Sequence, residues 1–452
     1  MYSWTPTVSN GGGNWSQEND SRVMSPGKGY IIRTPNGHPN NTGYTARFTG
    51  IPNNGDILVP ISKGTDANIL AGLVDDEDDE WNLIGNPYPS GLSIAKFIDL
   101  PANANIVDGT VYIWTHNSQP STAALDPFYG DYVFNYTSED YATVNKAGAT
   151  VTMTTAGTGV PRVPTGYIAA GQSFFIKSAN GMLNGTTANA TFNNAMREAG
   201  QNSNFFRSAN TTKKESSAES NADLVKDRIW LNLTNNSGAF SQTLVGYFES
   251  ATQGLDRGFD GESFGGNDVT FYSIIPQAQL AIQGRGLPFD ENDQVNLGYN
   301  AAIGGDLSIR IDHLEGVFST QNIFLEDKEL EVLHDLKEKP YVFKTQAGDY
   351  NDRFALRFTD KTLSVKNPVY EDDIQVDYVR SSSVLNIVNH SADTTINTVT
   401  LFSISGKSIS KWDVSGKEQG YIKIPVHGIA SGVYIVKLST DKGSFSKKVI
   451  VP

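Results

Sequence analysis

Gly261-Glu262-Ser263-Phe264-Gly265 fits G-x-S-x-G, the strand-to-helix elbow that lifts a nucleophilic serine over an oxyanion hole. Asp290 and His313 follow in the hydrolase order. The elbow needs a helix after its serine, and here Gly266, Asn267 and Asp268 lead into VTFYSI, a strand-type run. A plain loop is expected, and the chain reads as a non-enzyme. Ser93-Ile-Ala-Lys96 fits S-x-x-K, but so does Ser444-Phe-Ser-Lys447, and neither has the partner motifs. The six histidines (His38, His116, His313, His334, His390, His427) stand far apart, without metal-ligand spacing. Asp256-Arg-Gly-Phe-Asp260-Gly-Glu262 gathers three carboxylates in a glycine loop. A structural calcium ion would use them, and Asx turns would use the same aspartates without a metal. Asp75 to Glu80 (DDEDDE) lacks the spaced oxygens and turn glycine of a calcium loop, so it reads as a solvated loop. No other cofactor is expected. Trp114, Tyr112, Tyr88 and Trp15 would stack on sugar rings if exposed; alternating along strands, they would fill a core.

The elements that must position these groups are strands. A chain of 452 residues suggests about three domains. Its 43 Gly and 19 Pro, with many Asn, Thr, Ser and Tyr, favour short strands joined by turns. One modest helix is expected, Ile94 to Leu100, and long 3.6-residue periodicity is otherwise missing. The fold class expected is all-β, as several β-sandwich modules in series. Mean hydropathy is −0.33, and no apolar run approaches the ~18 residues of a membrane span. Net charge of −14 argues against a nucleic-acid partner, which calls for a basic face. From Lys366 onward ten Lys and Arg face eight Asp and Glu, giving +2 and leaving −16 to the residues before. Cysteine is absent, which excludes disulfides, thiolate metal sites and cysteine nucleophiles.

An internal repeat runs through the first part. Ser25-Pro-Gly27-Lys-Gly-Tyr-Ile-Ile-Arg33 matches Ala169-Ala-Gly171-Gln-Ser-Phe-Phe-Ile-Lys177 in pattern, and Ala46-Arg-Phe48 matches Ala190-Thr-Phe192 at the same offset of 144. Tyr2-Ser-Trp4-Thr5 matches Tyr112-Ile-Trp114-Thr115 at an offset of 110. Trp81 to Ser90 (WNLIGNPYPS) precedes the second copy alone. Met1 is therefore expected to lie inside a repeat of a longer protein, and MYSWTP carries neither the basic nor the apolar region of a signal peptide. The modules expected are a β-rich repeat region over 1–207, a polar linker over 208–223 and a jelly-roll-like sandwich over 224–360. A connector over 361–373 and an immunoglobulin-like C-terminal domain over 374–452 complete the chain.

The last stretch, GIASGVYIVKLSTDKGSFSKKVIVP, has the form of a hairpin: Val433 to Leu438 alternates, Asp441-Lys442-Gly443 turns, and Ser446 to Val451 returns. Upstream, Thr398 to Ile404 runs into Ser405-Gly406-Lys407. This ordered set resembles the C-terminal, type A sorting domain of proteins exported by the type 9 secretion system of Bacteroidota. By that resemblance the signal residues are Gly406, Lys407, Gly432, Val433, Tyr434, Val436, Lys437, Lys447, Lys448, Val449 and Val451. The chain ends in Val-Pro, where the family pattern leads one to expect a lysine or aromatic residue. WNLIGNPYPS, VYIWTHN, GYIAAGQSFFIKS and ATFNNAMRE resemble segments near the C-termini of large flavobacterial surface proteins. The stretch Ile323 to Phe358 resembles a module that precedes such domains. The resemblance implies a route through the periplasm to the surface or medium of a Gram-negative bacterium. The partners it implies are an outer-membrane translocon and its shuttle β-barrel, with a glycan or lipopolysaccharide anchor as a further partner. The rival reading is a carbohydrate-binding adhesin in the upstream modules. An extended, basic terminal strand suits pairing with another protein's strand edge.

Overall fold

A computed structural model describes residues 1–6, 15–19, 22–32, 37–39, 44, 45, 47, 49–64, 80–114, 140–152, 163–202, 204, 226–263, 268–360, 374–390, 394–404, 407–426, 428–441 and 443–451. The expected linker (208–223), the connector (361–373), most of the acidic run, Gly406, His116 and His427 lie outside them. Among the described residues strands take 54% and helix 5%, so the fold is all-β. It divides into two compact units, Met1–Phe289 with Asp312–Ser319, and Asp290–Ile311 with Thr320–Pro452.

The first unit contains an antiparallel sheet in the order Trp81–Gly85, Ser173–Ser178, Val107–Trp114, Tyr141–Val144. Alternation in these strands sends side chains to two different cores. Ile84, Val111, Ile113, Phe174 and Ile176 face one cluster with the helix residues Ile94, Phe97 and Ile98. Trp81, Leu83, Tyr112 and Phe175 face an aromatic cluster with Trp4, Trp15 and Tyr141. There Trp4 meets Trp15 edge to face at 5.2 Å, and Trp81 meets Tyr112 at 4.6 Å. The two repeat copies flank Trp81–Gly85 in matching places. Gly85 N–H donates to Gly27 O on one side, and Asn86 N–H donates to Gln172 O on the other. Tyr2 pairs with Ile31 as Tyr112 pairs with Phe175, the positions the two offsets relate. Gly27 and Gly171 turn at φ of 76° and 74°, a conformation that costs other residues a clash at Cβ.

The helix is Ile94–Asp99. Ser93 Oγ accepts from Lys96 N–H at 3.3 Å, so this S-x-x-K is an N-cap. The helix stops before Pro101, which forces Leu100 to extended geometry.

Four further strands of this unit, in the order Val269–Ile275, Ala278–Gly286, Phe240–Phe248, Asp227–Asn235, stack beside the repeat region. Trp230 Nε1 donates to Ala149 O at 2.9 Å, and Arg228 Nη1 donates to Ala147 O at 2.9 Å. Gly109 and Gly258 touch so closely that a Cβ at Gly109 would lie 2.7 Å from Gly258 N. The strands on both sides of residues 208–223 therefore share one packed unit.

In the second unit, strands run in the order Val332–Asp335, Phe324–Asp327, Gly348–Arg357, Gln294–Ala301, and Gly305–Glu315 pairs with Tyr341–Thr345 through Ile309. The final module is a seven-stranded sandwich. One sheet holds Ile374–Val379, Val384–Asn389 and Tyr421–Pro425; the other runs Ser408–Asp413, Ile396–Ser403, Gly432–Thr440, Gly443–Val451. Ile374, Leu385, Ile387, Ile422 and Ile424 meet Val399, Leu401, Val436 and Leu438 in its core.

Candidate functional site

The hairpin of Gly432–Thr440 and Gly443–Val451 pairs Tyr434 with Val449, Val436 with Lys447, Lys437 with Ser446, Ile435 with Lys448 and Val433 with Ile450. This register sorts the signal residues by face. Tyr434, Val436, Val449 and Val451 are buried in the sandwich core. Tyr434 keeps its polar end satisfied by donating to Ala430 O at 2.8 Å. On the outer face stand half-buried Val433, Ile435 and Lys437, with exposed Lys448 and Ile450. Ile450 is 66% exposed, and its place between buried Val449 and Val451 follows from alternation.

Gly443–Val451 is the edge strand of its sheet. Lys447 pairs with buried Val436, which puts it on the inner face, and it is half-buried. A lysine on the inward side of an edge strand blunts uncontrolled edge pairing. Lys407 N–H donates to Ser403 Oγ at 3.2 Å, and Ser403 N–H donates to Lys407 O at 2.9 Å, so these two residues hold each other.

The other chemistry-bearing residues make the following contacts. Ser263 N–H donates to Gln279 O, beside the strand Gly261–Glu262. His313 packs on Trp230 at 5.2 Å. In the sheet order Ala278–Gly286, Phe240–Phe248 and Asp227–Asn235 lie between the strand beside Ser263 and the strand that carries His313. Asp290 is exposed and accepts from Asn292 N–H at 2.9 Å. Trp15, Tyr88 and Tyr112 are at most 7% exposed and half-buried Trp114 packs on the aromatic cluster, so they fill cores.

The glycine loop at 256–262 lines a recess of about 370 Å³ with Asp108. Asp256 accepts from Thr252 N–H and, at 3.0 Å, from Thr252 Oγ1. Asp260 accepts from Asp256 N–H at 2.6 Å and Gly284 N–H at 2.7 Å. Glu262 pairs with Lys177 at 2.6 Å, and Lys177 also meets Glu80, which pairs with Lys63 at 2.7 Å. Backbone donors and lysines thus engage these carboxylates. Among the described residues no three His, Asp or Glu side chains are grouped to hold a metal ion. Burial would raise the pKa of Glu80, but the hydrogen bond from Lys63 and the charge of Lys177 carry it below the ordinary carboxylate value.

Asp108 keeps part of its surface open to the recess, yet protein surrounds its carboxylate, and burial pushes its pKa up to about 7. Burial also pushes Asp260 up to about 7. Both bind a proton more tightly folded than unfolded. Their contribution to stability is complete below about pH 3.8, the ordinary aspartate value, and is lost as pH rises through about 7. We predict that urea-unfolding stability of the full chain falls by on the order of 1–3 kcal/mol between pH 5.5 and pH 8, with Asp108→Asn removing part of that fall. Equal stability at the two pH values would contradict it.

A family model described as a domain of unknown function, DUF8693, matches residues 1–358. A second, described as a secretion system C-terminal sorting domain, matches residues 381–452. A search of curated proteins finds no match. The second match covers six of the seven strands described for the sandwich and includes every signal residue named above, so this module is a type 9 sorting domain that marks the chain for export to the cell surface or medium. No helix among the described residues is long and apolar enough to cross a membrane. With its first 358 residues matched by one model and its last 72 by the other, the chain belongs to the DUF8693 family and ends in a type 9 secretion sorting domain.

Proposed function

We propose that the terminal strand pair is the surface read by an outer-membrane translocon and its shuttle β-barrel, and that the upstream modules are non-catalytic cargo. The observation that supports this reading is the open edge of Gly443–Val451, with Lys448 and Ile450 outward beside Val433 and Ile435. An edge strand offers unpaired N–H and C=O groups to a partner strand, and alternate outward side chains supply the specificity. The burial of Tyr434, Val436, Val449 and Val451 gives those residues the task of holding the edge in register.

Lys448→Glu with Ile450→Glu reverses the charge and polarity of the outward face without touching the core. Surface changes of this kind alter stability by roughly 0.5 kcal/mol or less. We expect export of the full chain, measured as the fraction outside the outer membrane, to drop about tenfold or more while the melting temperature holds. Lys423→Glu, exposed on the other sheet, should leave export unchanged. Undiminished export of the double variant would sink the reading.

A further inference from the structure

Lys437, in the strand Gly432–Thr440, donates its ammonium to Glu329 O at 2.7 Å. Ser446, its cross-strand partner, donates Oγ–H to Leu330 O at 3.3 Å. Two side chains in register on the sorting hairpin thus hold two successive carbonyls of a turn in the preceding module. That turn is rigid. Asp327, fully buried, accepts from Glu329 N–H at 3.0 Å and Leu330 N–H at 3.2 Å. The same carboxylate accepts from Tyr341 OH at 2.9 Å and from Arg353 Nη2 at 2.8 Å, and Lys328 N–H donates to Arg353 O at 2.8 Å. Glu331 closes the turn at a φ of 55°, a left-handed conformation that few non-glycine residues adopt. With its N–H groups bound inward by Asp327, the turn presents the carbonyls of Glu329 and Leu330 outward, where only donors can meet them.

We propose that this pair of contacts is a latch that docks the sorting domain on its own cargo, and that a partner reading the outer face near Lys437 must displace the Asp327–Val332 turn. The partner part rests on the export reading above; the docking itself does not. Each contact is modest. Lys437 Nζ to a carbonyl is a charged hydrogen bond, the Ser446 bond is neutral, and both are set in a surface seam, so the latch can open under competition. The chain's signal strand pair therefore has a resident occupant on one part of its outer face, while Lys448 and Ile450 stay exposed beside it.

The test is lysine acylation of the folded full chain with an N-hydroxysuccinimide ester, read by mass spectrometry at Lys437 and Lys448, and needs no secretion machinery. We expect Lys437 to react about tenfold more slowly than Lys448, because its ammonium is held by a carbonyl. Glu331→Pro cannot take the positive φ, so it should open the turn and bring Lys437 toward the rate of Lys448. Glu331→Gly accepts that φ and should keep Lys437 protected. Equal rates for the two lysines in the unaltered chain would overturn the latch. Protection unchanged in Glu331→Pro would overturn it too, by showing that something other than the turn shields Lys437. Failure of the export experiment with a protected Lys437 would remove the partner reading and leave the docking intact.

Discussion

Replacing Arg257 by alanine should destabilise the first unit by about 3–5 kcal/mol, one of the largest effects available to a single substitution in this chain. The guanidinium reaches across from the glycine loop and donates to Val107 O at 2.8 Å, Ile98 O at 3.0 Å and Asn103 O at 3.1 Å. Those three residues are fully buried and surround the end of the helix Ile94–Asp99. Each bond to a charged donor is worth roughly 1.5–3 kcal/mol, and the alanine variant would leave three carbonyls without it. Burial holds the Arg257 pKa below the ordinary guanidinium value, and the side chain is still a cation that holds these partners. Arg257→Lys keeps the charge but loses the planar fork, so it should recover less than half of the loss. Urea unfolding of the full chain checks this. A shift under about 1 kcal/mol for the alanine variant would show that the three bonds are replaced by water at no cost.

The strands were legible where alternation and β-branched residues run uninterrupted. Val269–Ile275 and Val332–Asp335 begin and end where the residues indicate. The helix beginning at Ile94 was legible because Ser93 and Pro101 bracket it. Gly29 to Arg33 reads as a strand, but its described residues form a single isolated bridge, at Ile31, with another at the adjacent Lys28. Its partner Trp81–Gly85 gives most of its pairing to Ser173–Ser178, a choice made by tertiary contacts and invisible to local pattern. Tyr44 to Thr49 also has the composition of a strand, and none of its described residues forms one. The same limit applies to Arg257, whose partner Val107 is 150 residues away. In the sorting domain the inward set was readable from alternation, since Tyr434, Val436 and Leu438 occupy one face of any strand they form. The pairing of Lys437 with Ser446, and of both with the turn at Glu329 and Leu330, depends on register across the hairpin and on a neighbouring module.

Removing residues 442–452 should abolish export. The deletion takes away Val449 and Val451, each buried in the sandwich, and exposes the side chains of Gly432–Thr440 that they cover. Each buried valine is worth about 1.5–3 kcal/mol, and a domain of this size is stable by roughly 5–10 kcal/mol in all, so the shortened sandwich would keep little of its fold. The readable edge goes with it, since no other strand of that sheet carries Lys448 and Ile450. The two losses act together, which makes this the largest functional effect expected.

The most direct measurement is therefore a comparison of the full chain with the chain ending at Asp441. Each would be given a periplasmic leader and produced in a bacterium that carries the type 9 system. The fraction of each protein found outside the outer membrane would be measured alongside the fraction left in the periplasm. The full chain should appear at the surface or in the medium, and the shortened chain should stay in the periplasm. Export of the shortened chain at the level of the full one would contradict the assignment of the terminal strand pair as the export signal.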